Sequence, residues 1–151
     1  MRYITLLIVL FSFYAIAEEE CVFDEKSQEE FIGQYLNTSS NAEKIKGEKG
    51  VRILRGAETI EFHRGGCVHF GISIKSKIPR RYNEEEFFGK VITLVTEFGT
   101  ELVNIQELKA ALASRKWEKY EDMYFVQVES VSSFEMSKDS KGEANVNFYN
   151  N

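Results

Sequence analysis

The chain has 151 residues, with 19 basic and 24 acidic side chains, two cysteines and one proline. Its acidic balance opposes binding to nucleic acid and electrostatic docking on anionic lipid. No stretch carries a cofactor fingerprint, a metal-ligand signature or a recognised catalytic motif, so no reaction and no cofactor is indicated.

The N-terminus has the three parts of a secretory signal peptide. Arg2 supplies a positive start, residues 3–14 are apolar apart from Thr5 and Ser12, and Ala15-Ile16-Ala17 has the small-residue cleavage pattern. A spanning helix needs about 20 apolar residues, and this run stops at Glu18-Glu19-Glu20. The expectation is a cleaved signal over residues 1–17 and one α+β domain over residues 18–151, periplasmic or secreted, with no membrane span after cleavage. Arg2 leaves with the signal, so 18 basic residues then face 24 acidic ones. In an oxidising compartment Cys21 and Cys67 are expected to form a disulfide. Its loop of about 46 residues corresponds to roughly 4 kcal/mol in the chain-entropy account. A free thiol at Cys67 is the alternative.

The first helix is expected over Glu25 to Leu36, capped by Asp24 or by a Ser27-x-x-Glu30 box, with Phe31, Ile32 and Tyr35 as its apolar stripe. Asn37-Thr38-Ser39 matches the N-glycosylation sequon. Ala42 to Gly50 reads as a loop, on its polar composition and two glycines.

Three strands follow. Val51 and Ile53 alternate in the first, Ile60 and Phe62 in the second. A two-residue Gly56-Ala57 turn of type II′ sets Ile53 against Ile60 and Arg52 against Glu61. The third strand is expected over Cys67 to Lys75, with Val68, Phe70, Ile72 and Ile74 inward. A three-residue Arg64-Gly65-Gly66 turn would set Phe62 against Val68, Glu61 against His69 and His63 against Cys67. Arg52, Glu61, His63 and His69 then gather on one polar sheet face with Cys67.

That face has a plain reading, since opposite charges across strands stabilise an antiparallel sheet and one face of such a sheet is commonly polar. It is also the first candidate binding surface. Two chemical readings compete. A Cys67–His pair would need a reduced thiol, and a metal-binding or hydrolytic site would use His63, Glu61 and His69. If Glu61 faced His69, the carboxylate would favour the charged imidazole and make the face pH-sensitive.

Lys75, Lys77, Arg80 and Arg81 form a basic run that reads as solvated charge. Two helices come next. Asn83-x-x-Glu86 caps one, with Phe87, Val91, Leu94 and Phe98 as its stripe and Gly99 as its stop. Glu84, Glu85 and Glu86 suit its positive end. Asn104-x-x-Glu107 caps the other, with Val103 and Leu108 as a staple, and it is expected to end near Ser114 to Trp117. A last hairpin pairs a Tyr124–Val126–Val128 strand, interrupted at Ser132-Ser133, with an Ala144–Val146–Phe148 strand through a Lys138–Gly142 turn. Trp117 and Tyr120 are a second candidate patch, because both side chains favour interfaces.

The expected fold is therefore α+β: a mainly antiparallel sheet built from a three-stranded meander plus a C-terminal hairpin, packed with about three helices in the order α-β-β-β-α-α-β-β. Two functional classes stay open. One is an exported protein-binding domain, of inhibitor or immunity type, whose partner is another exported or envelope protein. The other is a small envelope hydrolase or metal-binding protein. The default disulfide removes the Cys67 nucleophile and tips the balance toward binding; the oligomeric state is not readable.

Overall fold

A computed structural model describes residues 25–46, 50–65, 70–78 and 81–150. The expected signal segment, Cys21, Cys67, His69 and the expected Asp24 cap lie outside them. Three helices and eight strands follow the order α1 Glu25–Thr38, β1 Ala42–Lys44, β2 Gly50–Arg55, β3 Glu58–Arg64, β4 Phe70–Lys77, α2 Glu84–Phe98, α3 Ile105–Ala113, β5 Trp117–Tyr120, β6 Met123–Val126, β7 Ser133–Lys138 and β8 Glu143–Asn150. All strands join one antiparallel sheet in the order β1-β2-β3-β4-β8-β7-β6-β5. Each half is helix first and four-stranded meander second, and the halves join last strand to last strand through β4 and β8. The α+β class and the antiparallel sheet agree with the expectation, and the C-terminal hairpin does join the first meander.

The first hairpin has its expected register: Ile53 faces Ile60, Val51 faces Phe62 and Arg52 faces Glu61. Gly56 takes φ 58 and Ala57 does not share the positive sign, as a type II′ turn requires. The next register is different. Phe62 faces Ile74, Glu61 faces Lys75 and His63 faces Ser73, not Val68, His69 and Cys67. Arg64 stays in β3, opposite Ile72, instead of entering a tight turn. Two contacts hold it there: an ion pair to Glu101 at 3.2 Å and the Phe31 ring, whose centroid lies 4.8 Å from its guanidinium carbon. The Gly65 N–H then closes a wider loop on the Gly71 carbonyl at 3.1 Å. The slip is an even number of residues, so every side chain keeps its face.

Three further boundaries differ. Ala42–Lys44 is a short edge strand, because its residues extend the pairing of β2 and its Glu43 reaches Arg52. The expected strand from Tyr124 through Ser132-Ser133 is two strands, β6 and β7, and a further strand, β5, precedes them. Trp117–Tyr120 pairs with Met123–Val126, and Ser132 belongs to the loop that turns the chain into β7. Helix α1 begins at Glu25, so Ser27 lies in its first turn and not ahead of it.

Alternation divides the sheet sharply. Val51, Ile53, Ile60, Phe62, Ile72, Ile74, Met136, Ala144, Val146 and Phe148 are buried on one face. All three helices pack there. Helix α2 contributes Phe87, Val91, Leu94, Val95 and Phe98, each worth about 1.5–3 kcal/mol when buried. Helix α1 closes one end with an aromatic cluster in which Phe31 meets Phe62 at 4.7 Å and Phe62 meets Phe98 at 5.2 Å. No helix among the described residues is long and apolar enough to cross a membrane.

The caps explain where α2 and α3 stop and start. Asn83 and Glu86 form the expected reciprocal box, with bonds of 2.8 and 3.1 Å. At α3 the Asn104 side chain caps Gln106, but its own N–H goes to Ser130 Oγ at 2.9 Å, and Glu107 accepts the Ser130 N–H at 3.0 Å. The second box is thus opened to tie the β6–β7 loop to the helix. Gly99 ends α2 with φ −128. A Cβ there would lie 2.5 Å from Phe148 Cζ, so packing demands the glycine, not a left-handed turn. Helix α3 does end in a left-handed residue. Arg115 has φ 55, Lys116 N–H bonds to the Ala111 carbonyl at 2.9 Å and Arg115 N–H to that of Leu112 at 3.4 Å. That is a Schellman ending, in which glycine is the usual occupant.

Ion pairs pin α2 across the sheet. Arg55 forms two bonds to Glu97, one of 2.7 Å. Glu58 takes Lys90 of α2 and the buried Ser76 hydroxyl, the latter at 2.5 Å. Burial alone would raise the Glu58 pKa, but the bonds from Lys90 and Ser76 and the charges of Lys90 and Arg55 outweigh it, leaving it below the ordinary value.

Two predictions follow from this layer. Arg115→Gly is expected to relieve the left-handed backbone, for a net gain of about 0.5–1 kcal/mol after the larger chain entropy of glycine is subtracted; thermal unfolding reads this as a rise of about 2–4 °C. For Glu58, a depressed carboxyl pKa contributes stability above the unfolded value of about 4.3 and loses it as pH falls through the lower folded value. Urea unfolding from pH 7 to pH 3 is expected to show a steeper acid loss for the native chain than for Glu58→Gln, the two converging at the acid end.

Candidate functional site

The helices leave the other face of the sheet uncovered by any described element. Its residues follow from register. One row crosses the strands as Glu43, Arg52, Glu61, Lys75, Asn145, Ser137, Met123 and Tyr120. The next reads Gly50, His63, Ser73, Asn147, Glu135, Phe125 and Glu118. Neighbouring strands lie about 4.8 Å apart, so each row is a line of adjacent side chains.

Charge is ordered at the β1–β4 end. The Arg52 guanidinium bridges two carboxylates, giving Nε and Nη2 to Glu61 at 2.9 and 2.8 Å and Nη1 to Glu43 at 3.1 Å. The bonds it donates to Glu61, then that to Glu43, raise the Arg52 pKa above its ordinary value. Lys75 lies opposite Glu61 in the register, but its ammonium pairs with Glu143 at 3.1 Å. Asn145 donates to the same carboxylate at 3.4 Å. Arg52 and Glu61 thus come together as expected.

His63 shares the face and lies over Gly50. A Cβ on Gly50 would sit 2.6 Å from His63 Nδ1 and 2.8 Å from the Phe62 carbonyl oxygen. Only a residue without a side chain admits the imidazole there. The expected Glu61–His69 and His63–Cys67 pairings are replaced by Glu61–Lys75 and His63–Ser73, because the loop after Arg64 is wider than three residues. Among the described residues no three His, Cys, Asp or Glu side chains come together as a metal-holding set.

The β5–β8 end of the same face sets exposed apolar side chains among polar ones. Tyr120 is 71 % exposed, and Met123, Phe125 and Tyr149 are about two-fifths exposed. Tyr120 and Met123 are cross-strand partners, and Phe125 is the next outward residue of β6. Phe125 also borders a hollow of about 460 Å³ with Glu118, Gln127 and Ser133. Trp117 is not part of this patch. It lies three positions before Tyr120, an odd spacing, so a strand points them to opposite faces. Trp117 turns toward the helices and packs on Phe88 and Tyr124 at 5.8 and 5.2 Å.

The sequence reading missed Glu43, Met123, Phe125 and Tyr149. Phe125 carried a signal: it is the aromatic out of phase with the alternating Tyr124, Val126 and Val128. No family model, curated protein or solved structure matches the chain.

The close fit at Gly50 yields a test. Gly50→Ala is expected to cost about 1–3 kcal/mol by overpacking and to move the His63 ring resonances in NMR spectra. An unchanged His63 environment would mean that the imidazole does not lie over Gly50.

Proposed function

We propose that this chain is an exported binding domain that meets another exported or envelope protein through the uncovered face of its sheet. The observation that supports it is the division of that face. One end holds an ordered array of charge around Arg52, and the other exposes Tyr120, Met123, Phe125 and Tyr149. Tyrosine, methionine and phenylalanine are enriched in protein interfaces, and tyrosine and arginine among the residues that dominate their energy. An antiparallel sheet can keep one face in water, but it then commonly shows polar side chains there. The exposed Tyr120, Met123, Phe125 and Tyr149 depart from that pattern. The acidic chain suits a basic partner, and the Arg52 bridge would fix orientation more than it would add affinity.

Site-specific photo-crosslinking tests the surface. A crosslinker at Asn147 or Ser137 is expected to capture one discrete partner from the native envelope or secretome, and one at Thr93 on the exposed side of α2 is expected to capture none. Tyr120→Ala with Phe125→Ala should reduce that capture at least tenfold, each hot-spot side chain contributing about 1–2 kcal/mol, with little change in thermal stability. Equal capture from both layers would refute the assignment.

A further inference from the structure

Among the residues of the helical layer that local rules disfavour, two border the same groove. Gly89 sits inside α2, where glycine weakens a helix. Nothing inside the protein calls for it: a Cβ there would meet no atom within 4 Å. Arg115 holds a left-handed backbone at the end of α3, where glycine would sit without strain. Between them lies a groove of about 540 Å³ formed by α2, α3 and β5. That volume is in the range of small-molecule sites. Strained or destabilising choices that serve no packing purpose are a pointer to function.

Phe88, Ile92, Leu112 and Trp117 supply apolar lining to the groove. Phe88 and Trp117 meet edge to face at 5.8 Å. The walls carry opposite charges. Glu84 and Glu85 stand on the α2 side, Lys109 and Arg115 on the α3 side. These charges do not satisfy one another. Glu84 accepts the Tyr124 hydroxyl at 2.8 Å, and Glu85, Lys109 and Arg115 form no ion pair among the described residues.

We propose that this groove binds a small apolar zwitterion: a hydrophobic amino acid or dipeptide with both ends free. Its side chains lie on the aromatic and aliphatic lining. Its carboxylate faces Lys109 and Arg115, and its ammonium faces Glu84 and Glu85. A glycine at position 89 leaves room for the ligand's apolar body, and an arginine at position 115 supplies the cation that a glycine would lack. This site is on the opposite layer from the proposed protein-binding face and does not depend on it.

Trp117 is the only tryptophan in the chain, so its emission and its indole resonance report on this groove alone. Its Nε1–H has no acceptor among the described residues. Titration of the purified protein with leucyl-leucine is expected to give a saturable change in both signals, half-complete at roughly millimolar concentration or below, the affinity of a small ligand. The N-acetyl and C-amide forms, each lacking one charge, should bind about tenfold more weakly. Gly89→Leu fills the groove and improves the helix, and Arg115→Gly removes the cation and relaxes the turn. Both variants should therefore unfold at higher temperature than the native chain. Gly89→Leu should abolish the titration, and Arg115→Gly should weaken it about tenfold. No saturable change up to about ten times that concentration overturns the proposal, as does undiminished binding by Gly89→Leu. Binding of the acetylated and amidated forms as tightly as leucyl-leucine itself overturns the zwitterion assignment.

Discussion

The stripe Phe87, Val91, Leu94, Val95 and Phe98 on α2 is the contact on which the rest of the structure depends. An amphipathic helix of 15 residues needs a flat apolar surface to bury one side. The inward residues of the sheet provide it: Phe62 of β3 meets Phe98, Tyr124 of β6 meets Phe87, and Phe148 of β8 approaches the helix end so closely that Gly99 has no room for a Cβ. The two meanders contribute to the same core, so α2 helps hold together the halves that the β4–β8 ladder joins. Ion pairs from Arg55 and Glu58 fix the helix's position over β2 and β3. Pairs of this kind act mainly as alignment, because partly exposed charges gain little net free energy.

One-sided packing has a consequence for function. Strand alternation makes each inward apolar residue imply an outward neighbour, so a sheet of eight strands exposes a broad second face. Most of that face is what water favours: Arg52, Glu61, Ser73, Lys75, Asn145, Asn147 and Glu135. Leu54, Tyr120, Met123, Phe125 and Tyr149 are the exceptions, and four of these five lie at the β5–β8 end, the reason the face is read as a contact surface. The helical layer has its own exceptions in Gly89 and Arg115. Gly89 and Arg115 border the groove between α2, α3 and β5 and lie away from the core.

Much of the fold was legible because periodicity reports burial directly. The α2 stripe, both asparagine caps and the β2–β3 register could be read from side-chain type and a two-residue turn. What failed is what periodicity does not encode. The loop after Arg64 looked like a three-residue turn, because its glycines advertise turning but not length. Arg64 is kept in the strand by Glu101 and Phe31, which are distant in sequence. Strand β1 was invisible because an edge strand needs only one apolar side, and Ala42 and Ile45 are a weak signal for it. Strand β5 went unread, since only Ser114, Arg115 and Lys116 separate it from α3. As for the site, Arg52 and Glu61 were paired correctly because their hairpin has a short turn. The grouping of Trp117 with Tyr120 treated aromatic content as proximity and overlooked the odd spacing that sends them to opposite faces.

The central claim is that helices cover one face of the sheet and leave the other open. A soluble paramagnetic agent tests it most directly through its relaxation effect on side-chain resonances along β3, β4, β8 and β7. The account predicts strong relaxation at Thr59, Ser73, Asn147 and Ser137, and protection at their alternating neighbours Ile60, Ile74, Val146 and Met136. Equal protection of both sets would contradict it, since the second face would then be covered and unable to serve as the contact surface.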